Sequence, residues 1–180
     1  MQLTAPIETP RLRLRTLTAE DVNARYLAWL ADPDVTRYLE IRFHRQDAAS
    51  IRVYIEQMNA SADNLFLGVF LIEGDVHIGN IKLGPVEPNH MRADFGILIG
   101  DRDSWGKGFA SEAIRALTDY AFDILELNKV SCGLYGPNEG SRRAFLKAGW
   151  FEDGRRRRHW SCDGQWHDDI QLGCLRTEQT

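Results

Sequence analysis

The chain has 180 residues, 43% hydrophobic and 27% charged, with a formal net charge of −4. That length buries a single-domain core without metals or disulfides, and the mildly acidic balance excludes a broad basic face for nucleic acid or anionic lipid. Three cysteines with no two-residue spacing argue against a disulfide framework and a structural zinc site. No run of roughly 20 apolar residues could span a membrane, and the N-terminal segment lacks the apolar core of a signal peptide. One soluble, cytoplasmic domain covering residues 1–180 is expected.

Period-two alternation in "RLRLR" (11–15) predicts a first strand. Thr18 precedes a helix carrying Val22, Tyr26, Trp29 and Leu30 on one face and ending at Pro33. The stretch around Phe43 and His44 is irregular, and Ile51, Tyr54, Ile55 and Met58 mark a second helix. Three strand-like runs, "NLFLGVFLI", "VHIGNIKLG" and "RADFGILIG", are separated by "EGD" and "PVEPNHM", which read as turns of an antiparallel meander. A helix through Ala113, Ile114, Leu117 and Ala121 leads to the strand "KVSCGLY", which requires a parallel crossover. A short helix, "NEGSRRAFLKAG", and two strands, Arg155 to Ser161 and His167 to Leu175, complete the chain. The class is α/β (α+β), with a mixed, mostly antiparallel sheet of about seven strands and about four helices.

The chemistry concentrates in "DRDSWGKGFASEA" (101–113), a strand-to-helix junction where Gly106 and Gly108 bracket Lys107. A helix start offers unpaired N–H groups and a partial positive charge, and glycines let the backbone approach an oxyanion closely. The spacing does not match a nucleoside-triphosphate loop. It meets only part of the dinucleotide fingerprint, because Ser111 stands at the third glycine position and no acidic residue closes the next strand.

Several segments together resemble the GNAT N-acetyltransferases, in particular their RimJ/RimL-like branch: "TPRLRLR", "WLADPDVTRYL", "RADFGILIGDRDSWGKGFASEA", "NEGSRRAFLKAGW" and "DGQWHD". One departure is Trp105, which stands where the wider family usually has Gln or Arg. The resemblance implies a sheet splayed between "ADFGILI" and "KVSCGLY", with the pantetheine arm of acetyl-CoA inserted as a pseudo-strand. Residues Ile97, Leu98 and Ile99 would pair with the arm, and Trp105, Gly106, Lys107, Gly108, Phe109, Ala110 and Ser111 would cradle the pyrophosphate. Asn138 is implied as a further coenzyme contact.

In the reaction so implied, acetyl passes directly from acetyl-CoA, the co-substrate, to a primary amine, so a route for proton loss and a donor for the leaving thiolate are needed. Asp94 is the candidate base, with His90 and His77 as weaker alternatives, and Ser141 is the candidate acid, with Tyr135 as the alternative. Asn138 and Ser141 also suit a helix start without chemistry. Cys132 reads as buried packing. In "RRRR" (155–158) alternate side chains face opposite ways, which suits a solvated strand, although one face could meet phosphate. Trp160, Trp166 and Asp168 could line the acceptor site. A protein N-terminal α-amine is the favoured acceptor, and the alternative is an amino-sugar nucleotide, its phosphates held by Arg42, Arg45 and one face of Arg155 to Arg158, or another small-molecule amine. A non-catalytic acyl-CoA-binding regulator is the alternative of another class. No metal, nucleic acid or membrane partner is expected, and a homodimer is allowed.

Overall fold

Apolar side chains on both faces of one sheet are covered by helices. A computed structural model describes residues 1–178. The sheet has eight strands: β1 (Ile7–Glu8), β2 (Leu12–Thr16), β3 (Leu65–Leu71), β4 (His77–Glu87), β5 (Arg92–Ile99), β6 (Lys129–Tyr135), β7 (Phe151–Cys162) and β8 (Gln165–Leu175). Their spatial order is β1-β2-β3-β4-β5-β6-β8-β7, and β5–β6 is the parallel pair. The helices are α1 (Ala24–Ala31), α2 (Pro33–Thr36), α3 (Ala48–Ala60), α4 (Phe109–Asp123) and α5 (Glu139–Lys147).

On one face, Ile114, Leu117 and Phe122 of α4 and Phe145 of α5 pack with Trp150 against Leu12, Leu14, Ile81 and Phe95. On the other, Tyr26, Trp29 and Leu30 of α1 and Ile51 and Ile55 of α3 cover Phe66 and Phe70. Strand β3 is buried on both faces, which explains its nearly continuous apolar sequence.

The β5–β6 ladder stops early. Its rungs are Arg92–Lys129, Ala93–Val130 and Asp94–Ser131, whereas β6 pairs with β8 along its full length and β5 pairs with β4 as far as Ile99. The β4 register shifts between Leu83, opposite Phe95, and Val86, opposite Ala93, so two residues of β4 stand against Asp94. Such a bulge bends the pair, and it lies at the residue beyond which β5 and β6 part.

The structure corrects several expectations. There are eight strands rather than seven, because β1 is two residues long and too short to show a period. There are five α-helices rather than four. Thr18 caps only a 3-10 turn at Ala19–Asp21, α1 begins after Asn23, and Asp32 caps a separate α2 with Pro33 in its first turn. The turn expected over 85–91 is shorter, 88–91, since β4 runs on to Glu87. Strand β7 runs from Phe151 rather than Arg155 and is bulged between Arg156 and Trp160, so its arginines do not simply alternate.

Gly79 sets how closely β4 and β5 approach. A Cβ on Gly79 would stand 2.1 Å from the Leu98 carbonyl oxygen, whereas one on Gly96 would meet nothing within 4 Å. Gly79→Ala should therefore destabilise the fold by ~1–3 kcal/mol, the usual cost of overpacking. Gly96→Ala should stay within about 0.5 kcal/mol of the parent, as surface changes do. Thermal unfolding of the two variants checks the contrast.

Candidate active site

Below the parted strands, Gly106 and Gly108 both have positive φ, +73° and +83°, and Gly108 is the N-cap of α4. A side chain is strained in that conformation and glycine is not. The cap position carries no side-chain hydrogen bond, so the first N–H groups of the 15-residue α4 face outward, suited to an anion. Trp105, at the departing position, has a defined contact: its indole N–H donates to the Ile99 carbonyl at 2.7 Å. That carbonyl is therefore already engaged. Lys107 is exposed and Ser111 buried.

Two cations beside this loop come from distant segments. A Cβ on Gly108 would lie 3.6 Å from Arg11 Nη2 and 3.7 Å from Lys147 Nζ. Arg11 also donates to the Lys107 carbonyl at 3.0 Å and is ion-paired with Glu112. Nothing in the local pattern marks Arg11 or Lys147, because each looks like a solvated residue on its own element. A groove of about 800 Å³ starts at Lys107 and Gly108 and follows α4 to Ile124, but none of its lining belongs to β5 or β6.

The candidate catalytic residues sit around the gap. Asp94 is exposed on the last rung, and the Ser131 hydroxyl donates to its Oδ1 at 2.8 Å. Asn138 caps α5 by accepting from the Ser141 backbone N–H at 3.3 Å, which places Ser141 in the first turn. Tyr135 is buried at the end of β6. Its hydroxyl donates to Glu40 Oε1 and accepts from Arg42 Nη2 at 3.0 Å, and its ring stacks on Trp160 with centroids 4.9 Å apart. Glu40 was not singled out by sequence, because it lies in an irregular segment 95 residues from Tyr135.

Other candidates lie elsewhere. His77 is packed among Tyr26, Trp29 and Phe70, with Nε2 against Asn80 Oδ1 and the Gly79 carbonyl, and burial lowers its pKa. It is a core histidine. His90 is exposed in the β4–β5 turn. Cys132 is buried, and desolvation holds its thiol above the usual range. Asp168 clasps the β7 bulge, accepting from the Arg158 backbone N–H at 2.9 Å and from Arg155. Trp166 is largely exposed, while Trp160 backs Tyr135. Arg45 pairs with Asp47. No cluster of three or more metal-ligating side chains occurs among the described residues, and no helix among them is long and apolar enough to cross a membrane.

Residues 11–150 match the acetyltransferase (GNAT) domain family. The chain belongs to the GNAT family. The N-acetyltransferase p20 of Bacillus licheniformis, itself uncharacterized, is 30% identical over 174 residues, covering 94% of this chain and 96% of that one. The spermidine N(1)-acetyltransferase of Escherichia coli (strain K12) is 29% identical over 111 residues, 61% of this chain and 59% of the relative. A crystal structure of the Vibrio cholerae spermidine N-acetyltransferase in complex with CoA and spermine superposes with a TM-score of 0.82 at 21% identity, covering 94% and 98% of the two chains. The protein is thus an N-acetyltransferase of the acetyl-CoA-using GNAT type, and the splayed sheet expected from the sequence is present.

If the glycine junction is the pyrophosphate seat, Gly108→Val should raise the acetyl-CoA dissociation constant at least tenfold, about 1.4 kcal/mol. Lys147→Ala, which leaves the backbone alone, should weaken binding in the same direction. Calorimetry on variants with parental circular dichroism measures both, and unchanged affinity would remove the loop from the account.

Proposed function

We propose that this enzyme transfers acetyl from acetyl-CoA directly to a primary amine, with the pantetheine arm lying as a pseudo-strand between β5 and β6. The observation that most supports it is the three-rung ladder. Beyond Asp94–Ser131, backbone groups of Phe95–Ile99 and Cys132–Tyr135 face a gap with no strand between them, and an amide-rich arm can satisfy such edges. Ile97 and Ile99 would contact the arm through backbone, Ile99 by its N–H because Trp105 holds its carbonyl, whereas the backbone groups of Leu98 face Asn80 of β4. The junction from Trp105 to Ser111 would hold the pyrophosphate, with Lys107, Arg11 and Lys147 adding positive charge. Asn138 caps α5 through its oxygen, leaving its amide NH₂ for the arm.

In this reading Asp94 takes a proton from the attacking amine, and Ser141 protonates the departing thiolate. Ser141 stands at the positive end of α5, which favours donation toward a developing anion. Asp94→Asn should lower kcat by ~10²–10⁴, the scale of a positioned base, while acetyl-CoA affinity holds. A kcat within threefold of the parent would remove Asp94 from that role.

For the acceptor we favour a protein N-terminal α-amine. A cleft of about 710 Å³ lies between the α2 to Gln46 segment and the β7–β8 hairpin, and its charged lining is Arg37, Arg42 and Asp163. That lining lacks the acidic excess that would suit a polyamine. An α-amine, with a pKa of about 7.7–8.0, also asks less of a base than a lysine amine at about 10.4. One observation favours a second reading, the amino-sugar nucleotide. Arg42 spends its N–H groups on the Arg37, Leu39 and Ser161 carbonyls and the Tyr135 oxygen, and has no carboxylate ion pair among the described residues, so its charge is available to a phosphate. Measuring kcat/KM for N-terminal peptides and amino-sugar nucleotides on one preparation decides between them. A peptide value a hundredfold below the sugar value reverses the order, and acetyl-CoA binding without turnover of any amine would support a non-catalytic regulator.

A further inference from the structure

The acceptor face of the gap follows from the register. Asp94 and Ser131 form the last rung, so period two places Gly96 level with Gly133, and Leu98 level with Tyr135, on that same face. Both glycines are exposed, and no atom lies within 4 Å of where a Gly96 Cβ would be. The floor is therefore open at Gly96, while at Gly133 the Asp169 and Gln171 side chains of β8 border it. A nitrogen above it lies about 7 Å along the strand from either end, at two residues of strand rise. Asp94 bounds the closed end, and Tyr135, bonded to Glu40 and Arg42, bounds the open end.

Proton accounting requires two acceptors. An amine arrives as its ammonium, and the balanced reaction is ammonium plus thioester giving amide, thiol and one released proton. One proton must leave nitrogen before its lone pair can attack. The second leaves as the C–N bond forms and the C–S bond breaks, while sulfur gains a proton. We propose that Tyr135 and Glu40 form a relay for the first: the ammonium gives a proton to the Tyr135 oxygen as the phenol proton passes to the Glu40 carboxylate. Glu40 then releases it to water. This rests on the gap being the thioester site, and it leaves the second proton to Asp94.

The surroundings fit that assignment. Glu40 is exposed and can exchange with bulk water, whereas Tyr135 is buried. Arg42, 3.0 Å from the phenol oxygen, steadies negative charge there during the transfer. Of the other charged groups nearby, Arg37 pairs with Asp163 at 2.7 Å. Asp169, level with Tyr135 on β8, holds Arg156 and Gln171 through Oδ2 and leaves Oδ1 without a hydrogen-bond partner beside Gly133, but it is fully buried, so unlike Glu40 it has no direct exchange with water. His159 packs edge-on against Trp160. Burial first, and the Glu40 hydrogen bond second, hold the phenol above its ordinary pKa, against Arg42, which keeps Tyr135 protonated at rest.

The test is kcat/KM against pH, from 6.5 to 9.5, at saturating acetyl-CoA and with a peptide bearing a free α-amine or whichever amine the parent turns over. The panel is parent, Tyr135→Phe, Glu40→Gln, the double variant and Asp94→Asn. Tyr135→Phe and Glu40→Gln should each lose ~10–100-fold at pH 7, approaching the range for a proton-transfer group. Both should recover to within about threefold where the amine is already neutral. The double variant should be no worse than Tyr135→Phe, since a relay fails as a unit, and Asp94→Asn should not recover. Losses that are flat with pH or additive, or that stay under threefold at pH 7, overturn the relay alone. Absence of parental turnover on every amine removes the functional reading and the relay with it.

Discussion

The site depends on the ladder between β5 and β6 ending at Asp94–Ser131. A continued parallel pairing would satisfy those backbone groups internally and leave no room for a thioester arm. Two features hold the strands apart: each is anchored from outside, β5 on β4 and β6 on β8, and the β4 bulge opposite Asp94 bends β5 where the parting begins.

Glycine makes that surface usable at both ends. At the loop, Gly106 and Gly108 take positive φ and expose the start of α4. On the acceptor face, Gly96 and Gly133 remove the side chains that would cover the gap. At Gly133 the absence is also structural, since a Cβ there would stand 2.8 Å from Asp169 Oδ1. Different glycines thus serve the loop conformation, the openness of the gap and strand packing.

The sequence was informative where a signal is local. Alternation located β2, apolar runs bounded by turn residues located β3 to β6, helical spacing located α3 and α4, and the glycine-bracketed lysine marked the start of α4. Boundaries failed where a short-range rule met a longer context: Thr18 makes a capping box, but on a 3-10 turn, and β4 runs through Pro85 to Glu87 before the turn that the prolines signalled begins. Residues brought together by topology were illegible. Arg11 and Lys147 meet at Gly108 from opposite ends of the domain, and Glu40 reaches Tyr135 through the placement of the turn after α2 against the final hairpin. Asp168 is only a possible acceptor-site residue in the sequence, because a carboxylate in a hairpin shows no partner there, and its partner is the bulge of the neighbouring strand.

Amide hydrogen exchange resolved by residue, with and without acetyl-CoA, tests the central claim most directly. The account predicts that gap-facing N–H groups within Phe95–Ile99 and Cys132–Tyr135 become protected on binding, together with the first amides of α4. Protection confined to residues lining the outer groove of α4, with both parted strands unchanged, would contradict it.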